Sequence, residues 1–104
     1  MTDDILTHFL GAYFHQDWYL EADDDAGIVE LYLRNEADHK PIDQLVETLE
    51  IVAANHESDS STRWLSTDYC CDYDPSPDGL SGSEWLRRLA SLLRQSQQRR
   101  GISG

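Results

Sequence analysis

The chain has 104 residues, enough for one domain spanning 1–104 that buries roughly 60–70% of the surface its unfolded form exposes. Its 20 acidic side chains against 8 Lys and Arg give a net charge of −12, which repels nucleic acid and anionic membrane and attracts basic partners. No apolar run is long enough to span a bilayer, Asp3 and Asp4 stand where a signal peptide would be basic, and the adjacent Cys70 and Cys71 are too close to bridge, so a reducing cytoplasm is the expected location.

Residues 3–15 are expected to form a first helix, with Ile5, Leu6, Phe9, Leu10 and Tyr13 at helical spacing and Asp3 and Asp4 in the favourable first turn. A loop over 16–25 ends in Asp23, Asp24 and Asp25. These aspartates open a second helix, 24–36, whose buried stripe is read as Ile28, Leu31 and Tyr32 with Val29 beside it. Pro41 suits the first turn of a third helix, 41–56, with Ile42, Leu45, Val46, Leu49, Val52 and Ala53 on its apolar face. Asp43, Glu47 and Glu50 fall at i, i+4 and i+7 on the opposite side, where like charges cost about 0.2–0.5 kcal/mol per pair. A fourth helix, 59–69, carries Trp64 and Leu65. Pro75, Pro77 and Gly79 make 70–79 irregular. Ser81 and Glu84 then form a capping box, with Leu80 and Trp85 placed as a hydrophobic staple. The last helix, 82–97, has Trp85, Leu86, Leu89, Leu92 and Leu93 as its core stripe, with Arg87, Arg88 and Arg94 on its other side; 101–104 are expected to fray. About five short helices and no alternating strand pattern predict an all-α, single-domain bundle.

The charge is unevenly distributed. Residues 1–79 hold 19 acids and three bases (Arg34, Lys40 and Arg63), net −16, whereas 80–104 hold Glu84 and five arginines, net +4.

Catalytic and metal-binding readings find little support. The chain has no glycine-rich phosphate loop, nucleophile motif or HExxH. His8 and His15 share a helix face with Asp17 nearby, but two histidines are too few for a metal. His15 is read as packed among Tyr13, Phe14, Trp18 and Tyr19. Asp72, Asp74, Ser76 and Asp78 alternate like a calcium loop, yet Pro77 occupies the turn position that needs Gly and Glu84 falls one residue late. No metal, cofactor or catalytic activity is expected. Cys70 and Cys71 are read as small packing residues with one thiol exposed.

The run Phe9-Leu10-Gly11-Ala12-Tyr13-Phe14-His15-Gln16-Asp17-Trp18 resembles the N-terminal signature of immunity proteins from bacterial contact-dependent growth inhibition systems. Cys71-Asp72-Tyr73-Asp74-Pro75, Asp78-Gly79-Leu80 and Trp85-Leu86 are similar to the later part of that family's pattern. The resemblance implies a cytoplasmic protein that binds the C-terminal toxin domain delivered by sibling cells and keeps it inactive, as a monomer in a 1:1 complex. Many such toxins are nucleases with basic, phosphate-binding sites, which an acidic partner could cover. The alternative is an acidic DNA mimic or adaptor that binds a basic housekeeping protein; a hydrolase using His15 and Asp17 is the remaining reading.

Phe9, Tyr13, Phe14, Trp18 and Trp85 are expected to be scaffold, with His15, Asp17 and Asp78 holding loop geometry. The candidate toxin-binding residues lie where charge is expected on the surface: Asp23, Asp24, Asp25 and Glu30; the stripe Asp43, Glu47 and Glu50; and the loop around Asp72 and Asp74. The two helical patches are favoured over the loop because helices present charge more rigidly.

Overall fold

The computed structural model describes residues 3–36, 42–59 and 61–103. Within them the chain forms α1 (Asp3–Tyr13), α2 (Asp25–Glu36), α3 (Ile42–Asn55), α4 (Arg63–Tyr69) and α5 (Gly82–Ser103), with 3-10 turns at Trp18–Leu20 and Ser76–Asp78. This is the all-α bundle that the apolar periodicity predicts. Pro41, expected in the first turn of α3, lies outside the described residues.

Helix α5 is the organising element. It packs most extensively on α3 and also crosses α2 and α4, while α1 lies against α3, α4 and α2. Trp85, Leu86, Leu89, Ala90 and Leu93 run along its buried side. Ser81 and Glu84 close the capping box reciprocally: the Ser81 N–H donates to Glu84 Oε1 at 2.9 Å, and the Glu84 N–H to Ser81 Oγ at 3.1 Å. The neighbouring Gly82 lies against the Trp64 indole so tightly that a Cβ there would sit 2.6 Å from Cζ2. Ser83 is buried because its hydroxyl donates to the Ala53 carbonyl at 2.6 Å, satisfying an acceptor near the end of α3.

Several boundaries differ from those expected, each for a local reason. Helix α1 stops at Tyr13 rather than 15 because the Phe14 carbonyl accepts the Asp72 N–H at 2.8 Å and Trp18 turns back to His15 instead. Helix α4 starts at Arg63 rather than 59, after a turn in which Asp59 accepts the Ser61 N–H at 2.9 Å. Helix α5 continues to Ser103, past the expected end at 97 and through residues expected to fray. On α2 the buried stripe is Ile28, Val29, Tyr32 and Leu33, with Leu31 only partly covered. That line, extended back one turn, passes through Asp25.

Candidate functional site

Asp24 begins α2 as its N-cap: its Oδ1 accepts the Gly27 N–H at 2.9 Å, and its carbonyl takes the first helical bond from Ile28. The next residue, Asp25, sits on the same helix face as Ile28 and Val29 and is only 4% exposed. Its carboxylate is met by two residues of α5. Trp85 Nε1 donates to Oδ2 at 3.0 Å; Arg88 donates from Nε to Oδ2 at 2.8 Å and from Nη2 to Oδ1 at 3.1 Å. Burial pushes the Asp25 carboxyl up, but the Arg88 and Trp85 hydrogen bonds and the Arg88 charge outweigh it and hold the group below its ordinary value. Asp25, expected as a surface contact, is therefore a clamp between α2 and α5.

An aromatic stack extends the clamp. The Tyr73 ring lies on Trp85 with centroids 4.9 Å apart and planes 8° from parallel, and Trp18 packs on Tyr73 at 4.8 Å. Phe14 meets Trp85 edge-on at 5.0 Å. The Tyr73 hydroxyl donates to Asp78 Oδ2 at 3.2 Å. Burial pushes that hydroxyl up and the nearby Asp25 and Asp78 charges add to it, so it remains a donor. Asp24, Asp25, Tyr73, Asp78, Leu80 and Arg88 line an open cleft of about 600 Å³ above this stack.

Trp18 pins the chain corner between α1 and α2. Its own carbonyl accepts the Glu21 N–H at 3.0 Å and the Ala22 N–H at 3.3 Å. His15 ties the corner across: Nδ1 accepts the Asp17 N–H at 3.1 Å, and Nε2 lies 3.2 Å from Glu21 Oε2. Both contacts suit a neutral ring protonated on Nε2. The Asp17 carboxylate is not the group bonded to His15, so the His–Asp pair of the hydrolase reading is not assembled in that way. Tyr19 and Leu20, by contrast, point outward at 61% and 73% exposure, and Tyr19 is not part of the buried cluster expected around His15. A three-residue 3-10 turn spreads its side chains around the axis, so Trp18, Tyr19 and Leu20 cannot all face the core. The hydrophobic pattern of the sequence does not say which of the three faces inward.

The remaining candidate acids divide by what they touch. Asp23 is exposed at the corner, and Glu30, exposed at the edge of the α2–α5 contact, accepts the Ser96 hydroxyl at 3.0 Å. Asp43 and Glu47 are exposed on α3, whereas Glu50 is held by Arg94 through contacts of 2.6 and 2.8 Å. Ile51, 50% exposed, stands beside this stripe. Asp72 is exposed. Asp74 Oδ1 accepts the Ser76 N–H at 2.9 Å and hydroxyls from Ser76 at 2.7 Å and Thr62 at 3.0 Å; the Ser76 bonds hold its carboxyl below the ordinary value. Arg87 reaches Glu57 at 3.3 Å. Arg87, Arg88 and Arg94 of α5 thus reach acids elsewhere in the fold, just after α3, on α2 and on α3 respectively.

Among the described residues, no group of three His, Cys, Asp or Glu side chains is placed to hold a metal ion, and no helix is long and apolar enough to cross a membrane.

The all-α scaffold uses its aromatic motif for packing and turns acids and three large apolar side chains, Tyr19, Leu20 and Ile51, outward. The family model for the CdiI immunity protein matches residues 4–93. The chain belongs to the CdiI immunity protein family, in agreement with the resemblance carried by residues 9–18, 71–75, 78–80 and 85–86. The match includes the whole Asp25 clamp and aromatic stack. Neither the curated proteins nor the solved structures give a match.

Proposed function

We propose that this chain binds and neutralises the C-terminal toxin domain of its own contact-dependent growth inhibition effector, in the cytoplasm and as a monomer in a 1:1 complex. The toxin domain in this reading is a basic nuclease, and the chain acts by occlusion, without catalysis. Family membership over residues 4–93 carries the reading. The charge supports it: residues 1–79 have a net charge of −16, and Asp23, Glu47 and Asp72 remain exposed. Such a field speeds encounter with a basic partner and favours it over acidic ones.

Glu30, Asp43, Glu47 and Asp23 are proposed contacts, with Asp24 and Glu50 contributing charge while capping α2 and holding Arg94. Asp72 and Asp74 form the lesser patch, since Asp74 is engaged in its loop. The test is co-expression with the toxin domain encoded immediately upstream. Restored growth and co-purification are expected; unabated killing in cells containing folded protein would contradict the proposal.

A further inference from the structure

Three consecutive large apolar residues at one corner are divided between two environments. Trp18 is partly buried against the core and packs on Tyr73 at 4.8 Å, while Tyr19 and Leu20 leave most of their surface in water. Burying a side chain of that size is favourable, so displaying two side by side forgoes stability that a fold selected only for itself would keep. The corner is also stiff. Trp18 N–H to His15 carbonyl and Leu20 N–H to Asp17 carbonyl are both 3.0 Å, and the His15–Glu21 contact closes the loop. Ala22 is held against α2, where a Cβ added at Gly27 would lie 2.8 Å from the Ala22 Cβ. Residues 16–24 contain Asp17, Glu21, Asp23 and Asp24 and no Lys or Arg. An aromatic and an aliphatic side chain presented rigidly inside an acidic rim form an anchor that loses little conformational freedom on binding.

We infer that Tyr19 and Leu20 insert together into an apolar depression ringed by Lys and Arg on the toxin domain, the carboxylates of the corner meeting those cations. This rests on the proposed immunity function. It also moves the centre of the interface from the helix stripes to the 3-10 corner.

The test measures binding to the cognate toxin domain for the wild-type chain, Tyr19→Ala, Leu20→Ala and the double variant, with thermal unfolding as a control. Both side chains are exposed, so the unfolding midpoint is expected to stay near the wild-type value. Kd should rise at least ~30-fold for Tyr19→Ala and ~100-fold or more for the double variant, chiefly through faster dissociation. A change below ~3-fold with wild-type binding intact would overturn the corner assignment and leave the immunity function standing. Absence of wild-type binding would overturn both. A photo-crosslinking residue at position 19 gives a reading independent of folding changes: a toxin adduct supports the assignment, and an adduct between two copies of this chain, or none with toxin bound, contradicts it.

Discussion

Arg88 on α5 grips both carboxylate oxygens of Asp25 on α2, at 2.8 and 3.1 Å, while Trp85 from the same helix donates to one of them. Asp25 is almost fully buried and Arg88 is 45% exposed. The two partners should therefore respond differently to truncation. Asp25→Ala leaves the Trp85 indole N–H buried without its acceptor, while Arg88 can turn to water; a loss of about 2–3 kcal/mol is expected. Arg88→Ala instead leaves a buried carboxylate with only the Trp85 indole and the Ala26 backbone N–H as donors, and the Asp25 pKa should move upward. Urea unfolding and NMR titration of the Asp25 carboxyl measure the two effects.

The same clamp sets an acid limit. The folded-state value of Asp25 lies below the ordinary aspartate value. Its contribution is present in full above the unfolded carboxylate value of about 3.9 and is lost as pH falls through the lower folded value. Unfolding midpoints measured from pH 6 downward should fall less steeply for Asp25→Asn than for the wild type, in the region below pH ~4.

The α3 stripe separates charge from structure. Reversing Asp43, Glu47 and Glu50 together to Lys should slow toxin association and flatten its salt dependence. Glu47→Lys alone should slow association with unfolding unchanged. Glu50→Lys also breaks the Arg94 pair, whose side chains are 55% and 42% exposed and screened by solvent, so its unfolding midpoint should stay close to the wild-type value. Stopped-flow kinetics paired with thermal unfolding distinguish the variants.

At the start of α5, Ser81→Ala removes the acceptor of the Glu84 N–H and should cost about 1 kcal/mol. Gly82→Ala drives a methyl into the Trp64 indole and should cost about 1–3 kcal/mol, with altered tryptophan emission as its local signature.

The cysteines should differ in reactivity. Cys70 is exposed at the end of α4, whereas burial pushes the Cys71 thiol up to about 12. Native protein should take up one equivalent of maleimide and denatured protein two. Two equivalents in the native state would contradict the burial of Cys71.

Helix positions are legible in the sequence because Leu6, Phe9, Leu10 and Tyr13, or Trp85, Leu86, Leu89 and Leu93, repeat at the period that faces one core. The capping box at Ser81 is legible because its chemistry is local. Asp25 is harder to place: in the run Asp23-Asp24-Asp25 the three residues look equivalent, and only the register back from Ile28 and Val29 puts the last one inside. Its partner Arg88 lies 63 residues away, a pairing that composition cannot supply. Arg94 with Glu50 is hidden for the same reason. The exposure of Tyr19 and Leu20 depends on Trp18 taking the inward direction of a turn that the hydrophobic pattern does not define.

In the proposed function an acidic, preorganised surface meets a basic toxin domain. The most direct test is the association rate between this chain and the toxin domain encoded beside it, measured from low to high salt. A 1:1 complex is expected, with association slowing steeply as salt rises while dissociation changes little. Absence of a complex, or association indifferent to salt, would contradict it.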